Sequence, residues 1–177
     1  QAVIDKCLPR LQCISKYGIG LDKIDVAYAT EKKIPVLFTP GVNHTTVAEH
    51  AIGFMLSLSK KIQSNANDVR DGKWVAGWKK PVGNEIMGKT LGIIGMGRIG
   101  KEVATRARAF GMEVIAFNRT FDTEFAAQHG IQQGASAQEV IEAADIISLH
   151  CALTPETKYL IDAEQIERLK DGVTIIN

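Results

Sequence analysis

From residue 91 onward, short apolar runs alternate with segments whose apolar residues recur every three to four positions. "LGIIG" (91–95), "MEVIAF" (112–117), "DIISLHC" (145–151) and "VTIIN" (173–177) are rich in β-branched residues and bounded by turn formers, which predicts buried strands. Between the first two, "RIGKEVATRARAF" (98–110) sets Ile99, Val103, Ala107 and Phe110 at helical spacing and stops at Gly111. "FDTEFAAQHG" (121–130), closed by Gly130, and "SAQEVIEAA" (136–144) predict two more helices. Thr154-Pro155 predicts a helical turn, and "DAEQIERLK" (162–170) a helix capped by Asp162 and ended at Gly172. Apolar strands alternating with amphipathic helices predict an α/β fold, a doubly wound parallel sheet covered on both faces.

The rhythm before residue 91 differs. "LQCISK" (11–16) predicts a strand, "YGIGLDKID" a glycine-punctuated loop, "VAYATEKK" (26–33) a helix and "IPVLFTPG" (34–41) a second strand. Thr46 and Glu49 have capping-box spacing and open a run with Ala48, Ala51, Ile52, Met55, Leu56, Leu58 and Ile62 at helical periods. This predicts one helix of roughly 25 residues, fading towards Asp71-Gly72 and longer than most helices in globular proteins, so it is expected to span two domains. Residues 72–90 hold glycine, proline, Trp74 and Trp78 without a period, which predicts a connecting loop. The expected division is residues 1–42, the end of one domain; 43–88, a long interdomain helix with its loop; and 89–177, a nucleotide-binding domain. The start at Gln1 without Met, and the stop inside "GVTIIN", read as a piece of a longer protein.

Composition narrows the function classes. The chain has 177 residues, 45% hydrophobic and 23% charged, with a net charge of +1. That balance, without a block of like charge, argues against a nucleic-acid or anionic-membrane partner. No apolar run approaches the ~20 residues of a membrane span and no leader opens the chain, so a cytoplasmic location is expected. Cys7, Cys13 and Cys151 have no metal-ligand spacing, and their odd number fits a reducing interior. His44 and His50, six apart, do not share a helical face, so no metal site is expected.

The candidate chemistry lies in "GIIGMGRIG". Gly95, Gly97 and Gly100 form G-x-G-x-x-G after an apolar strand and at the start of a helix, the context in which this pattern binds a dinucleotide. Gly95 allows the tight turn, Gly97 the approach of the pyrophosphate and Gly100 close helix–strand packing, while the helix N-terminus offers free N–H groups. Arg98 adds a cation. An acid that binds the adenosine ribose is expected about 20 residues later. Instead Asn118 stands 18 residues beyond Gly100, at the end of the second strand, followed by Arg119 and Thr120. Glu113 is at the wrong end of that strand and Asp122 lies past the turn. An Arg at this place accommodates a 2′-phosphate, and Thr120 adds a donor, so NADP is the expected cofactor in preference to NAD.

With these residues placed, the chain resembles the D-isomer-specific 2-hydroxyacid dehydrogenases, the group that includes phosphoglycerate dehydrogenase and glyoxylate/hydroxypyruvate reductase. The resemblance is carried by "KYGIGLDKID", "IPVLFTPGVNHTTVAEHA", "GKTLGIIGMGRIG", "RARAFGMEVIAF", "ADIISLH" and "LTPETKYLI". It implies a Rossmann-type domain plus the tail of a flavodoxin-like α/β substrate domain, a homodimer, and hydride transfer between a nicotinamide cofactor and a 2-oxo or D-2-hydroxy acid. It further implies that the backbone of Gly18, Ile19 and Gly20 receives the substrate carboxylate. Ile19 and Val47 are then expected near the cofactor, Arg98 and Ile99 at the pyrophosphate, Asn118 at the ribose, and Cys151, Ala152 and Thr157 beside the adenosine. The chain departs from the usual pattern at Ala152, often Pro, and at Lys23, often Asn. The catalytic Arg, Glu and His of such enzymes are expected beyond Asn177, and His44, His50, His129 and His150 match none of them, so this chain by itself is expected to bind cofactor without turnover. The alternative from another class is a dinucleotide-sensing corepressor of the same fold.

Overall fold

The computed structural model describes residues 1–73 and 82–177; Trp74 and Trp78 of the expected connecting loop lie outside the described residues. The chain divides into two compact units, Gln1–His44 and Thr45–Asn177. In the first, α1 (Ala2–Cys7) is followed by β1 (Ile14–Ser15), α2 (Val26–Glu31) and β2 (Val36–Leu37). The two strands pair in parallel, Ile14 beside Val36, and α2 is the crossover between them. Asp25 caps α2 by accepting the Tyr28 N–H at 2.9 Å. Ile4, Ala29 and Ile34 form the apolar centre. The strand expected over 11–16 is confined to two residues, because the Leu11 N–H turns back to the Cys7 carbonyl at 3.0 Å. Helix α1 has too few residues to show a period in the sequence.

The second unit corrects the long helix. Instead of one helix from Thr46, α3 runs His44–Ser59 and α4 runs Ile62–Arg70. Thr46 is inside α3 rather than its cap. The break is at Lys61, whose φ of 54° and ψ of 36° are left-handed. A non-glycine residue there costs about 1 kcal/mol or more. The carbonyl of Ser59, freed at the end of α3, accepts the Asn84 N–H at 2.7 Å. A partner 25 positions away thus stabilises an ending that local pattern does not announce.

Then β3 (Thr90–Ile94), α5 (Arg98–Ala109), β4 (Glu113–Phe117), α6 (Thr123–His129), β5 (Gln132–Gln133), α7 (Ala137–Ala143), β6 (Ile146–Leu149), α8 (Ala163–Glu167) and β7 (Thr174–Ile176) follow. The five strands form one sheet in the order β5-β4-β3-β6-β7, every pair parallel. Alternate strand residues serve opposite faces. Leu91, Ile93, Val114 and Ala116 pack with Met55 of α3 and Val103 and Ala107 of α5. Ile94, Ile115 and Ile147 pack with Val140 and Ile141 of α7. Burying each of these large side chains contributes roughly 1.5–3 kcal/mol, and both faces are covered, as expected of a doubly wound sheet.

Side-chain caps set the helix starts: Asp122 accepts from Phe125 N–H at 3.0 Å, and Ser136 from Glu139 N–H at 3.1 Å. Gly130, with φ of 62°, ends α6. Helix α8 is shorter than expected, although Asp162 does cap it. Strand β5 was not foreseen, because Gln132 and Gln133 are exposed and carry no apolar signal; backbone pairing with Ile115 and Ala116 holds them. Among the described residues no helix is long and apolar enough to cross a membrane.

Candidate dinucleotide site

Three strand ends meet at the C-terminal edge of the sheet. The Gly95 N–H donates to the Phe117 carbonyl at 2.9 Å and the His150 N–H to the Ile94 carbonyl at 2.8 Å. The turns after β3, β4 and β6 are therefore held side by side. The chain winds from β3 to β4 and β5 on one side, then crosses to β6 and β7 on the other. That reversal is at β3, the topological position at whose strand ends open α/β sheets bind ligands.

The glycine turn fits its expected parts. Gly95 has φ of 102°, and a Cβ there would lie 2.6 Å from the Cys151 nitrogen. A Cβ on Gly100 would overlap the Gly95 carbonyl oxygen, so α5 can approach β3 this closely only without one. Gly97 is the N-cap of α5, with no side-chain cap and open space where a Cβ would point. The first-turn N–H groups of a twelve-residue helix thus face outward with the positive end of its dipole. Arg98 is exposed beside them, and Ile99 is half-buried against the core. An uncapped helix end behind a side-chain-free turn is the cradle a pyrophosphate needs, so the residues fit a dinucleotide.

Beyond β4, the Asn118 carboxamide oxygen accepts the Met96 N–H at 3.3 Å, and its nitrogen donates to the Thr120 carbonyl at 2.6 Å. Arg119 and Thr120 are exposed. The two nearby acids are engaged elsewhere. Glu113 pairs with Arg108 at 2.9 Å. Asp122 pairs with Lys101 at 2.5 Å, and that lysine, with the Phe125 N–H, holds its carboxyl below the usual range.

Past β6, Thr157 Oγ1 donates to the Ala152 carbonyl at 2.6 Å and accepts the Thr154 N–H at 2.8 Å, which shapes the loop containing Cys151, Ala152 and Thr157. Glu156 lies in this loop. Its carboxyl is held below the usual range by Thr154 and its own N–H, with the Arg119 charge adding to the effect. Sequence reading missed Met96, which acts through its backbone N–H, and Glu156, which acts through space; Thr154 was read only as the start of a helical turn.

Val47 is exposed in the first turn of α3. Gly18, Ile19 and Gly20 belong to the first unit, where Thr39 holds their loop: its Oγ1 accepts the Gly18 N–H, and its N–H donates to the Gly18 carbonyl, both at 3.1 Å. Thr39 was likewise not foreseen. A cavity of about 630 Å³, lined by Asn84, Lys89, Asp145 and Lys170 among others, opens at the N-terminal ends of the strands. It is at the wrong edge of the sheet for a dinucleotide.

Comparison with known proteins fits this geometry. The family description "D-isomer specific 2-hydroxyacid dehydrogenase, NAD binding domain" matches residues 52–177. The chain belongs to that family. Hydroxypyruvate reductase of Thermotoga maritima is 43% identical over 168 residues, 94% of this chain and 53% of that protein. D-3-phosphoglycerate dehydrogenase of Methanocaldococcus jannaschii is 39% identical over 175 residues, 99% of this chain and 33% of that one. The structure of D-lactate dehydrogenase from Aquifex aeolicus, solved with NAD and lactic acid, superposes with a TM-score of 0.85 at 32% identity, covering 100% of this chain and 52% of that chain. The chain thus spans between a third and about half of the length of these relatives. Its second unit contains the family's Rossmann-like nucleotide domain.

Proposed function

We propose that the protein containing this chain is an NADP(H)-preferring oxidoreductase of small 2-oxo and D-2-hydroxy acids, and that the chain supplies most of its nucleotide site. The observation that carries the cofactor preference is the sequence Asn118-Arg119-Thr120 at the end of β4, where the acid that would bind a free ribose is absent and both neighbouring acids are engaged. The first-turn N–H groups of α5 and Arg98 hold the pyrophosphate; Arg119 and Thr120 take the 2′-phosphate; Cys151, Ala152 and Thr157 border the adenosine. When bound, the nicotinamide ring exchanges a hydride with the substrate carbonyl carbon.

Residues 1–42 are the end of the substrate domain in this reading, and residues 43–88 connect it to the nucleotide domain. The Gly18 N–H is already given to Thr39, so Ile19 and Gly20 are the backbone donors left for the substrate carboxylate. Ile19 and Val47 lie near the nicotinamide end. Proton transfer is assigned to groups outside residues 1–177, and none of the four histidines takes that role. The protein acts as a homodimer in the cytoplasm.

Titrating the protein with NADPH and NADH tests the preference. Tighter binding of NADPH is expected, and Arg119→Ala should abolish the difference. Tighter binding of NADH, or an unchanged ratio in the variant, contradicts the proposal.

A further inference from the structure

We infer that Asn118 is a positioning residue that sets which dinucleotide the site prefers, by tying the glycine turn to the turn that carries Arg119. This rests on the reading of the β3–α5 turn as a dinucleotide site. The two ends of one carboxamide are used at once: its oxygen accepts the Met96 N–H at 3.3 Å and its nitrogen donates to the Thr120 carbonyl at 2.6 Å. Those partners also define which end is oxygen, since one supplies a proton and the other only lone pairs.

The place of this tie in the sheet explains its effect. Strands β3 and β4 pair in register up to Ile94 and Phe117, and the Gly95 N–H still reaches the Phe117 carbonyl at 2.9 Å. One residue further the backbones diverge, and the Asn118 side chain continues the ladder by taking the next N–H, that of Met96. Met96 is 4% exposed and packs in the core, so this anchor is firmly seated. The second bond closes the chain over Arg119, which lies between the two tied residues and whose own side chain is exposed. Holding the flanking backbone removes freedom that Arg119 would otherwise lose on meeting a phosphate.

Only a side chain with both a donor and an acceptor can make this tie. An aspartate could accept from Met96 but would set a carboxylate oxygen against the Thr120 carbonyl, freeing the turn and adding a charge that repels a phosphate. Absence of an acid at this position is thus only half of the device; the carboxamide also organises the cation beside it.

The experiment compares wild type with Asn118→Ala by titration with NADPH and NADH, and follows the Met96 amide by hydrogen exchange without cofactor. The Met96 amide should be protected in the wild type and exchange faster in the variant. NADPH affinity should fall about tenfold, the cost of ordering on binding a turn that the two bonds otherwise hold in place, and NADH affinity clearly less. A residue acting only as a ribose ligand would weaken NADH equally or more, and would leave the Met96 amide unchanged. Equal weakening of the two dinucleotides, or greater weakening of NADH, therefore overturns the inference, as does an unprotected Met96 amide in the wild type. That last measurement needs no variant, so it stands even if the alanine protein fails to fold. A wild type that binds neither dinucleotide overturns the reading of the site itself and the specificity role with it, and is distinguishable from the other outcomes.

Discussion

The imidazole Nε2 of His150 lies 2.8 Å from the hydroxyl of Ser148, which is fully buried two positions earlier on the same side of the strand. Burial pushes the His150 imidazole down from 6.5 to about 4. The unfolded chain therefore binds a proton between those values that the folded chain does not, and stability falls with acidification across that window. It is fully present above about pH 6.5, and the contribution lost is on the order of 2 kcal/mol after allowing for partial exposure. Urea midpoints measured from pH 7 to pH 4 should decline, and His150→Gln should flatten that decline. An unchanged slope in the variant would show that other groups cause it.

Two glycines of the same turn should behave differently. Gly100→Ala sets a methyl group into the Gly95 carbonyl, so a loss of about 1–3 kcal/mol in stability is expected together with loss of dinucleotide binding. Gly97→Ala meets open space and changes stability by about 1 kcal/mol or less, yet it should weaken binding because a phosphate must approach there. Denaturant melts paired with cofactor titrations check both. A Gly97→Ala protein that binds normally would mean the phosphates lie elsewhere.

The charge of Arg119 reaches the Glu156 carboxylate and adds to the hold of Thr154 and the Glu156 N–H upon it. Glu156→Gln should remove that attraction and tighten NADPH binding a few-fold relative to NADH. The gain should shrink as salt is added, since both groups are exposed. A ratio insensitive to the substitution at low ionic strength would exclude Glu156 from cofactor choice.

Ile147 is fully buried between the sheet and α7. Ile147→Ala should cost about 2–5 kcal/mol in chemical denaturation. A loss below 1 kcal/mol would imply a core far looser than its burial indicates.

Much of the nucleotide half could be read from one dimension. Strand and helix periods from Leu91 to Ile176, the cap at Asp162 and the glycine turn are local patterns, because each depends on residues within a few positions. The same holds for the absent acid after β4, a matter of counting from Gly100. The long helix was misread because its break at Lys61 depends on Asn84, and β5 was missed because its two glutamines are held by a neighbouring strand rather than by burial.

The sequence alone therefore determined the kind of protein: an α/β nucleotide fold, a dinucleotide turn at Gly95–Gly100 and the identity of the residues beside it. Tertiary structure decided what those residues touch. Asn118 could be placed near a ribose by counting, but its bonds to Met96 and Thr120, the engagement of Glu113 and Asp122 with Arg108 and Lys101, and the influence of Arg119 on Glu156 arise between separate strand ends. Periodicity reports which face of an element is buried. Hydrogen bonds and charge coupling depend on distances of a few ångströms, which exist only once parallel strands have brought those ends together.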